Sequence, residues 1–463
     1  MKPRLLLLAS CAVLLSTLVI RVNARIAPSS DGGHELPAGH AQLECGGEPC
    51  DAVQRGQEAF LDRELAGLDA NGRACADCHM PVAEFQLSPA HVEKRFTQLE
   101  RRRRTHPEAD DPLFRAIDAD DFRINGDQAH DFSNLRQNGL VRITFALPPG
   151  IALIDPATNT VSDATFVDVW RSVPTVNDVA LTGIDDENPW FRGPNKTGGY
   201  QLDARFATLQ EQALAAFTGH AQAVNPVPQQ MLDDLASFQR VLFTNPRVRA
   251  LADAMREGTT PLPDPDPELD ELEEQGKVVF ERACANCHGG PRQSTTPLGI
   301  VRYHSIASQC PRPVDFTVPA RFAFAPCEPR LARNARTYAV QLAAPTPGPG
   351  GLIPAGTIVR LTSSDPGRAL LTGNVGGPAP FDDWNKFDVP GLRGIRRTAP
   401  YFHNNSADTL EAVVDHYIEL YKFIKANAPP GPPPAVATTD GVTFNRQPLP
   451  EERAALLAYL KKL

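Results

Sequence analysis

The chain has 463 residues, 42% hydrophobic and 22% charged, enough apolar mass for one large core or two ordinary ones, which excludes intrinsic disorder and a fibrous fold. Its 44 prolines and 33 glycines against only 7% aromatics put much irregular loop between helices. At a net charge of −9 there is no basic excess to neutralise a phosphate backbone, so nucleic acid is not the partner.

Residues 1–24 read as an export signal. Met1-Lys2-Pro3-Arg4 precedes a 16-residue apolar run from Leu5 to Ile20, and Val22-Asn23-Ala24 stands where a signal peptidase inspects the chain. The expected location is therefore the periplasm. Leu8-Ala9-Ser10-Cys11 imitates a lipoprotein box, and an uncleaved anchor is the other alternative, although the run is short for a bilayer span. A membrane is a partner only if this segment is retained. Cleavage after Ala24 leaves 43 basic and 55 acidic residues, a charge of −12 that steers towards basic partners.

Eight cysteines remain after cleavage, and they sort by spacing. Cys75-Ala76-Asp77-Cys78-His79 and Cys284-Ala285-Asn286-Cys287-His288 are both C-x-x-C-H, in which two thiols can form thioethers to haem vinyl groups while the histidine ligates iron. Two covalent c-type haems follow. A redox or zinc C-x-x-C beside an accidental histidine is the alternative. Cys45 with Cys50, and Cys310 with Cys327, are close in sequence among Pro, Gly and Arg, so two local structural disulfides are the economical pairing. Free redox thiols are the alternative there.

The motifs belong to a duplicated organisation. A short helical stretch precedes each, Gly56 to Phe60 and Gly276 to Phe280. Val173-Pro174-Thr175-Val176 and Ala207-Thr208-Leu209-Gln210-Glu211 follow the first motif, as Val389-Pro390-Gly391-Leu392 and Asp408-Thr409-Leu410-Glu411 follow the second. An amphipathic helix closes each copy, carrying Met231, Leu232, Leu235, Phe238, Val241 and Leu242 in one and Leu456, Leu457, Leu460 and Leu463 in the other. The proline- and acid-rich stretch 259–274 is a solvated linker. The expected division is thus an N-terminal domain over 45–258 and a C-terminal domain over 275–463. Residues 101–170, with Arg101 to Arg104 and the β-like Leu140 to Leu147, do not fit the repeat, and neither do residues 295–362. They are read as β-containing insertions, the arginine run as a solvated patch or a docking site for an acidic redox partner.

Both C-x-x-C-H motifs and their order, Asp365-Pro366-Gly367-Arg368, and the stretch Leu392 to Tyr417 resemble the bacterial di-haem cytochrome c peroxidases and their MauG-like relatives. The resemblance covers most of 50–250 and 270–463. It implies a mainly α fold of two c-type cytochrome domains, with β-containing insertions on that scaffold. Hydrogen peroxide would react at the N-terminal haem, electrons would pass through the C-terminal one, and a redox partner protein or an oxidisable substrate would complete the cycle. In the family the far ligand of the second haem is methionine or tyrosine. The methionines here are Met1, Met80, Met231 and Met255, none after Cys284, and the matching position is Tyr417. Helical periodicity independently places Tyr417 on one face with Leu410, Val413, Val414, Leu420 and Tyr421; an ordinary core tyrosine is the alternative. His304, His403 and His416 are the remaining candidate ligands of that haem.

The resemblance also shows departures. The position matching the family's proton-carrying glutamate is Gln210, which cannot carry a proton. Glu211 is its ionisable neighbour, but with Thr208 it forms a capping box. The slot of the family's inter-haem tryptophan holds Asn177, leaving Trp190 as a substitute relay or a packed loop residue. His91 is a candidate sixth ligand of the first haem, or a surface histidine. A calcium ion on backbone carbonyls matching Thr398 and Pro400 is an optional addition. The reading is a peroxide-activating di-haem oxidoreductase; the alternatives are an electron-transfer cytochrome and an O₂-using haem dioxygenase resembling rubber oxygenases.

Overall fold

The helices form where apolar residues recur at helical spacing, and two pairs of them cross in the same way. Helix α1 (Cys50–Leu61) buries Val53, Gly56 and Phe60. The succession continues with α2 (Pro89–Arg103), strands β1 (Leu140–Ala146), β2 (Ile151–Leu153) and β3 (Phe166–Ser172), then α3 (Leu209–Gly219), α4 (Gln229–Arg240) and α5 (Pro246–Glu257). After these come α6 (Glu271–Ala283), β4 (Arg336–Gln341), β5 (Ile358–Ser363), α7 (Leu410–Ala426) and α8 (Arg453–Leu460). The architecture is mostly helical with small sheets. This computed structural model describes residues 45–119, 123–124, 127–128, 132–182, 199–285, 287–289, 293, 305, 329–348, 351–377, 382–426 and 450–463. The expected signal segment, Trp190, His304, Cys310 and Cys327 lie outside the described residues. Among the described residues no helix is long and apolar enough to cross a membrane.

In the first crossing α1 packs on α4, and in the second α6 packs on α8. A Cβ added at Gly56 would stand 1.9 Å from the Asp234 carbonyl oxygen and 2.8 Å from Phe238 Cβ; one at Gly276 would stand 2.0 Å from the Ala455 oxygen and 2.8 Å from Tyr459 Cβ. Only glycine allows the backbones so close. One helical turn on, Phe60 meets Phe238 at 5.2 Å between ring centroids and Phe280 meets Tyr459 at 5.4 Å. Each buried ring contributes roughly 1.5–3 kcal/mol by leaving water. The duplication legible in the sequence is thus a duplication of packing.

The two stretches read as insertions turn out to share a sheet. Strand β1 pairs antiparallel with β3. Strand β2, from the first stretch, pairs antiparallel with β4, from the second, and β4 pairs with β5. Phe145, Ile151, Val169, Tyr338, Val340 and Leu361 close a core between the two regions. Beside it lies a buried charge cluster. Arg171 donates to Asp365 (Nε to Oδ2, 2.6 Å; a second nitrogen to Oδ1, 3.0 Å) and to Asp203 (2.5 Å), while Arg205 reaches Asp203 at 3.1 Å. Two guanidinium groups face two carboxylates, so the buried charges balance in number, although both arginines bond the same oxygen of Asp203 and its Oδ1 has no hydrogen-bond partner. Asp365 also accepts from the Gly367 N–H at 2.8 Å. The Asp-Pro-Gly-Arg segment therefore acts as a tie to β3.

Two local expectations are refined. Cys45 and Cys50 form a disulfide at the start of α1. Within the 259–274 stretch Asp266 is buried and accepts from Arg393 at 2.6 Å, Lys277 at 3.0 Å and the Tyr459 hydroxyl at 3.0 Å. The linker is thereby pinned to the second crossing. Helix α6 begins inside the same stretch, capped at Asp270, whose carboxylate accepts the Glu273 N–H while Glu273 accepts the Asp270 N–H.

Candidate functional site

Cys75–Cys78 form a single helical turn after α1. Its lock is Asp77, fully buried, which accepts the Ala74 N–H at 2.9 Å, Arg63 at 2.6 Å and Arg95 at 2.9 Å. The turn delivers His79 with its ring committed. Nδ1 donates to the Phe85 carbonyl at 3.0 Å, and the Pro174 carbonyl also reaches the ring. A carbonyl only accepts, so the proton belongs on Nδ1, and Nε2 carries the lone pair that a metal would take. Burial pulls this imidazole down to about 4, against the two carbonyls, which keeps it neutral.

The second motif repeats the arrangement. His288 Nδ1 donates to Gln293 O and to Pro390 O, both at 3.1 Å. Pro174 and Pro390 are the prolines of the paired Val-Pro segments, so the repeat noted in the sequence serves one purpose, each copy holding its own histidine. Burial raises the thiols of Cys75, Cys78 and Cys284 to about 12 and Cys287 to about 11. They are neutral thiols at physiological pH.

A cavity of about 270 Å³ opens on Cys75, Cys78 and His79. Its walls are mainly apolar, with Phe60, Val176, Leu209, Phe217 and Leu235 among them. Two attachment thiols, a neutral ligating imidazole and an apolar slot fit a covalently held haem. Val389, Pro390 and Arg393, from the second half, also line it. Pro390 thus touches the first cavity and holds the histidine of the second motif.

Helix α3 presents one face to this cavity: Leu209, Gln212, Ala213, Ala216 and Phe217, spaced i, i+3, i+4, i+7 and i+8. Gln210 and Glu211 lie off that face. Gln210 donates to Asp233 on α4 at 3.2 Å. Glu211 caps the helix: its N–H donates to Thr208 Oγ1 at 3.1 Å, and its carboxylate accepts the Ala207 N–H at 2.9 Å. The same periodicity, applied from Leu209, singles out Gln212 and His220, which sequence reasoning passed over. His91 donates or accepts at Ser88 Oγ, 3.3 Å away, and is not among the cavity residues. Asn177 lines the cavity, its Nδ2 donating to Glu84 at 3.3 Å.

Tyr417 packs with Cys284, Ala285, Leu392, Ile395 and Phe402 around the second core. Burial, and then the neighbouring Cys287 and Cys284, push its hydroxyl well above the usual phenol range. His416 turns to Phe402 instead (centroids 4.7 Å), and His403 is buried in a stack on Phe387 at 4.1 Å. At Thr398–Pro400, the stretch matched to calcium ligands, the Ala399 carbonyl accepts Gln86 Nε2 at 2.6 Å.

No family model matches the chain, and neither does any curated protein. Among solved structures, similarity extends to a MauG-like protein associated with microbial copper homeostasis, at 17% identity, covering 89% of this chain and 88% of that one, with a TM-score of 0.38. The diheme peroxidase BthA from Burkholderia thailandensis is similar at 14% identity over 90% and 86% of the two chains, TM-score 0.36. A hydrazine synthase from Kuenenia stuttgartiensis is similar at 14% identity over 100% of both, TM-score 0.37. At these values the likenesses assign neither family nor function.

Proposed function

We propose that the chain is a periplasmic di-haem c-type oxidoreductase of the cytochrome c peroxidase/MauG type. Its two cytochrome c domains, 45–258 and 275–463, would each hold one haem. Hydrogen peroxide is activated at the His79 site, and electrons arrive from a redox partner or an oxidisable substrate through the His288 site. The observation that carries this reading is the matched treatment of His79 and His288, each with Nδ1 bonded to a backbone carbonyl a few residues on and each with the carbonyl of a Val-Pro segment at its ring. A redox C-x-x-C has no use for a histidine whose ring is fixed as a metal ligand's is.

Cys75 and Cys78 would anchor the first haem and Cys284 and Cys287 the second, with Nε2 of His79 and His288 as iron ligands. Bound there, haem supplies iron that reduces peroxide at one site and relays electrons at the other. The residues do the rest. The carbonyls of Phe85 and Pro174 hold the His79 ring in one tautomer, and the apolar walls exclude bulk water from the cavity. Tyr417, beside the Cys284–Cys287 pair, would serve as a further iron ligand there, in place of the methionine this half lacks. Pro390 joins the two sites, since its carbonyl holds His288 while its ring borders the His79 cavity. A calcium ion at the Thr398–Pro400 segment remains an optional addition.

The test is a pyridine haemochrome assay with intact-protein mass spectrometry on the exported chain, followed by stopped-flow mixing with hydrogen peroxide. Two covalent haems per chain and an optical change on peroxide addition are expected. One haem or none overturns the reading, and O₂ consumption without a peroxide reaction moves the chain to the dioxygenases.

A further inference from the structure

The cavity wall carries one group built to move a proton, and it is neither Gln210 nor Glu211. We propose that His220, held by Asp118 and Arg73, is the acid/base of the His79 cavity. The inference rests on the peroxide reading above.

His220 follows the last residue of α3 and continues its cavity face, eleven positions after Leu209, so it lines the same cavity as His79, Cys75 and Cys78. Its Nδ1 is tied to Asp118 Oδ1 at 3.1 Å. The other oxygen of Asp118 takes Arg73 at 2.5 Å, and Arg73 also donates to the His220 carbonyl at 3.0 Å. Asn71 donates to that same carbonyl at 2.9 Å. Ring and backbone of His220 are therefore both fixed. The carboxylate on Nδ1 sets the tautomer that leaves Nε2 able to accept a proton, and it stabilises the imidazolium once formed.

Burial separates the roles within this cluster. The side chains of Arg73 and Asp118 are 3% and 7% exposed, whereas that of His220 is 35% exposed. The pair beneath is static scaffolding, and the histidine above is the accessible member of the cluster. The remaining carboxylates of the cavity wall are otherwise engaged. Asp178 accepts both the N–H and the hydroxyl of Thr244, at 2.9 and 2.8 Å, and Asp388 accepts the Val389 N–H at 3.0 Å.

The step is a proton transfer. Nε2 of His220 takes the proton from the inner oxygen of hydrogen peroxide and returns it to the outer oxygen, which departs as water when the O–O bond breaks. A haem held by Cys75, Cys78 and His79 would supply the two electrons of that cleavage.

The haem-loaded full chain tests this through cyanide binding as well as peroxide. Hydrogen cyanide arrives protonated and binds iron as the anion, so its association rate reads the same base without any turnover. His220→Gln should slow cyanide association and the peroxide reaction together, by about 10²–10⁴-fold, with covalent haem content and thermal melt unchanged. Asp118→Asn should slow both by less, because the ring keeps a hydrogen-bond acceptor and loses the charge. Cyanide association at the wild-type rate in His220→Gln overturns the assignment. Slowed cyanide binding in a protein whose wild type ignores peroxide keeps His220 as the base and removes the peroxidase reading instead.

Discussion

Substituting alanine at Gly56 or Gly276 is the most direct test of the duplicated scaffold. At Gly56 the new Cβ would meet a backbone oxygen at 1.9 Å, against 3.4 Å for an ordinary contact, so α1 and α4 must part by about 1.5 Å. At Gly276 the starting distance is 2.0 Å, and the required movement is nearly the same. Overpacking of this kind costs about 1–3 kcal/mol, and parting the helices also stretches the Phe60–Phe238 or Phe280–Tyr459 contact. Alanine recovers about 0.5–1 kcal/mol of helix propensity. A net loss of about 1–2 kcal/mol is expected from each substitution, measured by denaturant unfolding followed by far-ultraviolet circular dichroism. Gly219→Ala is the control: its Cβ would meet nothing within 4 Å, so it should be neutral or slightly stabilising. If Gly56→Ala or Gly276→Ala behaved like Gly219→Ala, the close crossings would be refuted.

Three further outcomes are expected. Burial holds Asp178 up at about 6, against the bonds from Thr244; because this folded value lies above the ordinary carboxylate range, the stability it contributes is lost as pH rises from about 4 to 6. Denaturant unfolding of Asp178→Asn beside wild type should show the difference moving in the variant's favour across that window, by up to about 3 kcal/mol, and a pH-independent difference would count against a buried, raised carboxyl. Tyr417→Phe should raise the reduction potential of the second haem and change its optical spectrum, since a phenolate favours the ferric state; spectroelectrochemistry identical to wild type would leave Tyr417 as a packing residue. Glu211→Gln should cost no more than about 1 kcal/mol in a thermal melt and leave peroxide reactivity intact, because glutamine also serves at the third position of a capping box, whereas lost reactivity with an unchanged melt would make Glu211 the proton carrier.

The parts of this site that were legible in sequence are those whose partners are local or repeated. Each C-x-x-C-H motif carries its chemistry within five residues, and the Gly-x-x-x-Phe and Val-Pro segments occur twice, so each copy supports the reading of the other. The Thr208–Glu211 cap is equally local, and the Leu140–Leu147 strand showed its character in its composition. What stayed hidden depends on distant residues. Arg171 and Asp365 are 194 positions apart, and His220 and Asp118 are 102 apart; no periodicity links such pairs. Gln210 drew notice because alignment to a family motif pointed to it, but a shift of two residues along a helix moves a side chain about 200° around the axis, and the cavity face belongs to Gln212. Strand β2 has three residues, too few for an alternation to register, and its partner lies in the other half of the chain.

That pairing limits how the chain can be divided or recombined. Repeated units can ordinarily be separated or exchanged, but here the β2–β4 ladder joins the two halves through segments that the repeat does not include. Expressing 45–258 alone would expose the β2 edge and strip Arg171 of Asp365, and expressing 275–463 alone would open the matching edge of β4. An unpaired edge with apolar neighbours is a template for aggregation. The two halves therefore hold together as one unit, and replacing either would require replacing the strand it lends to the other.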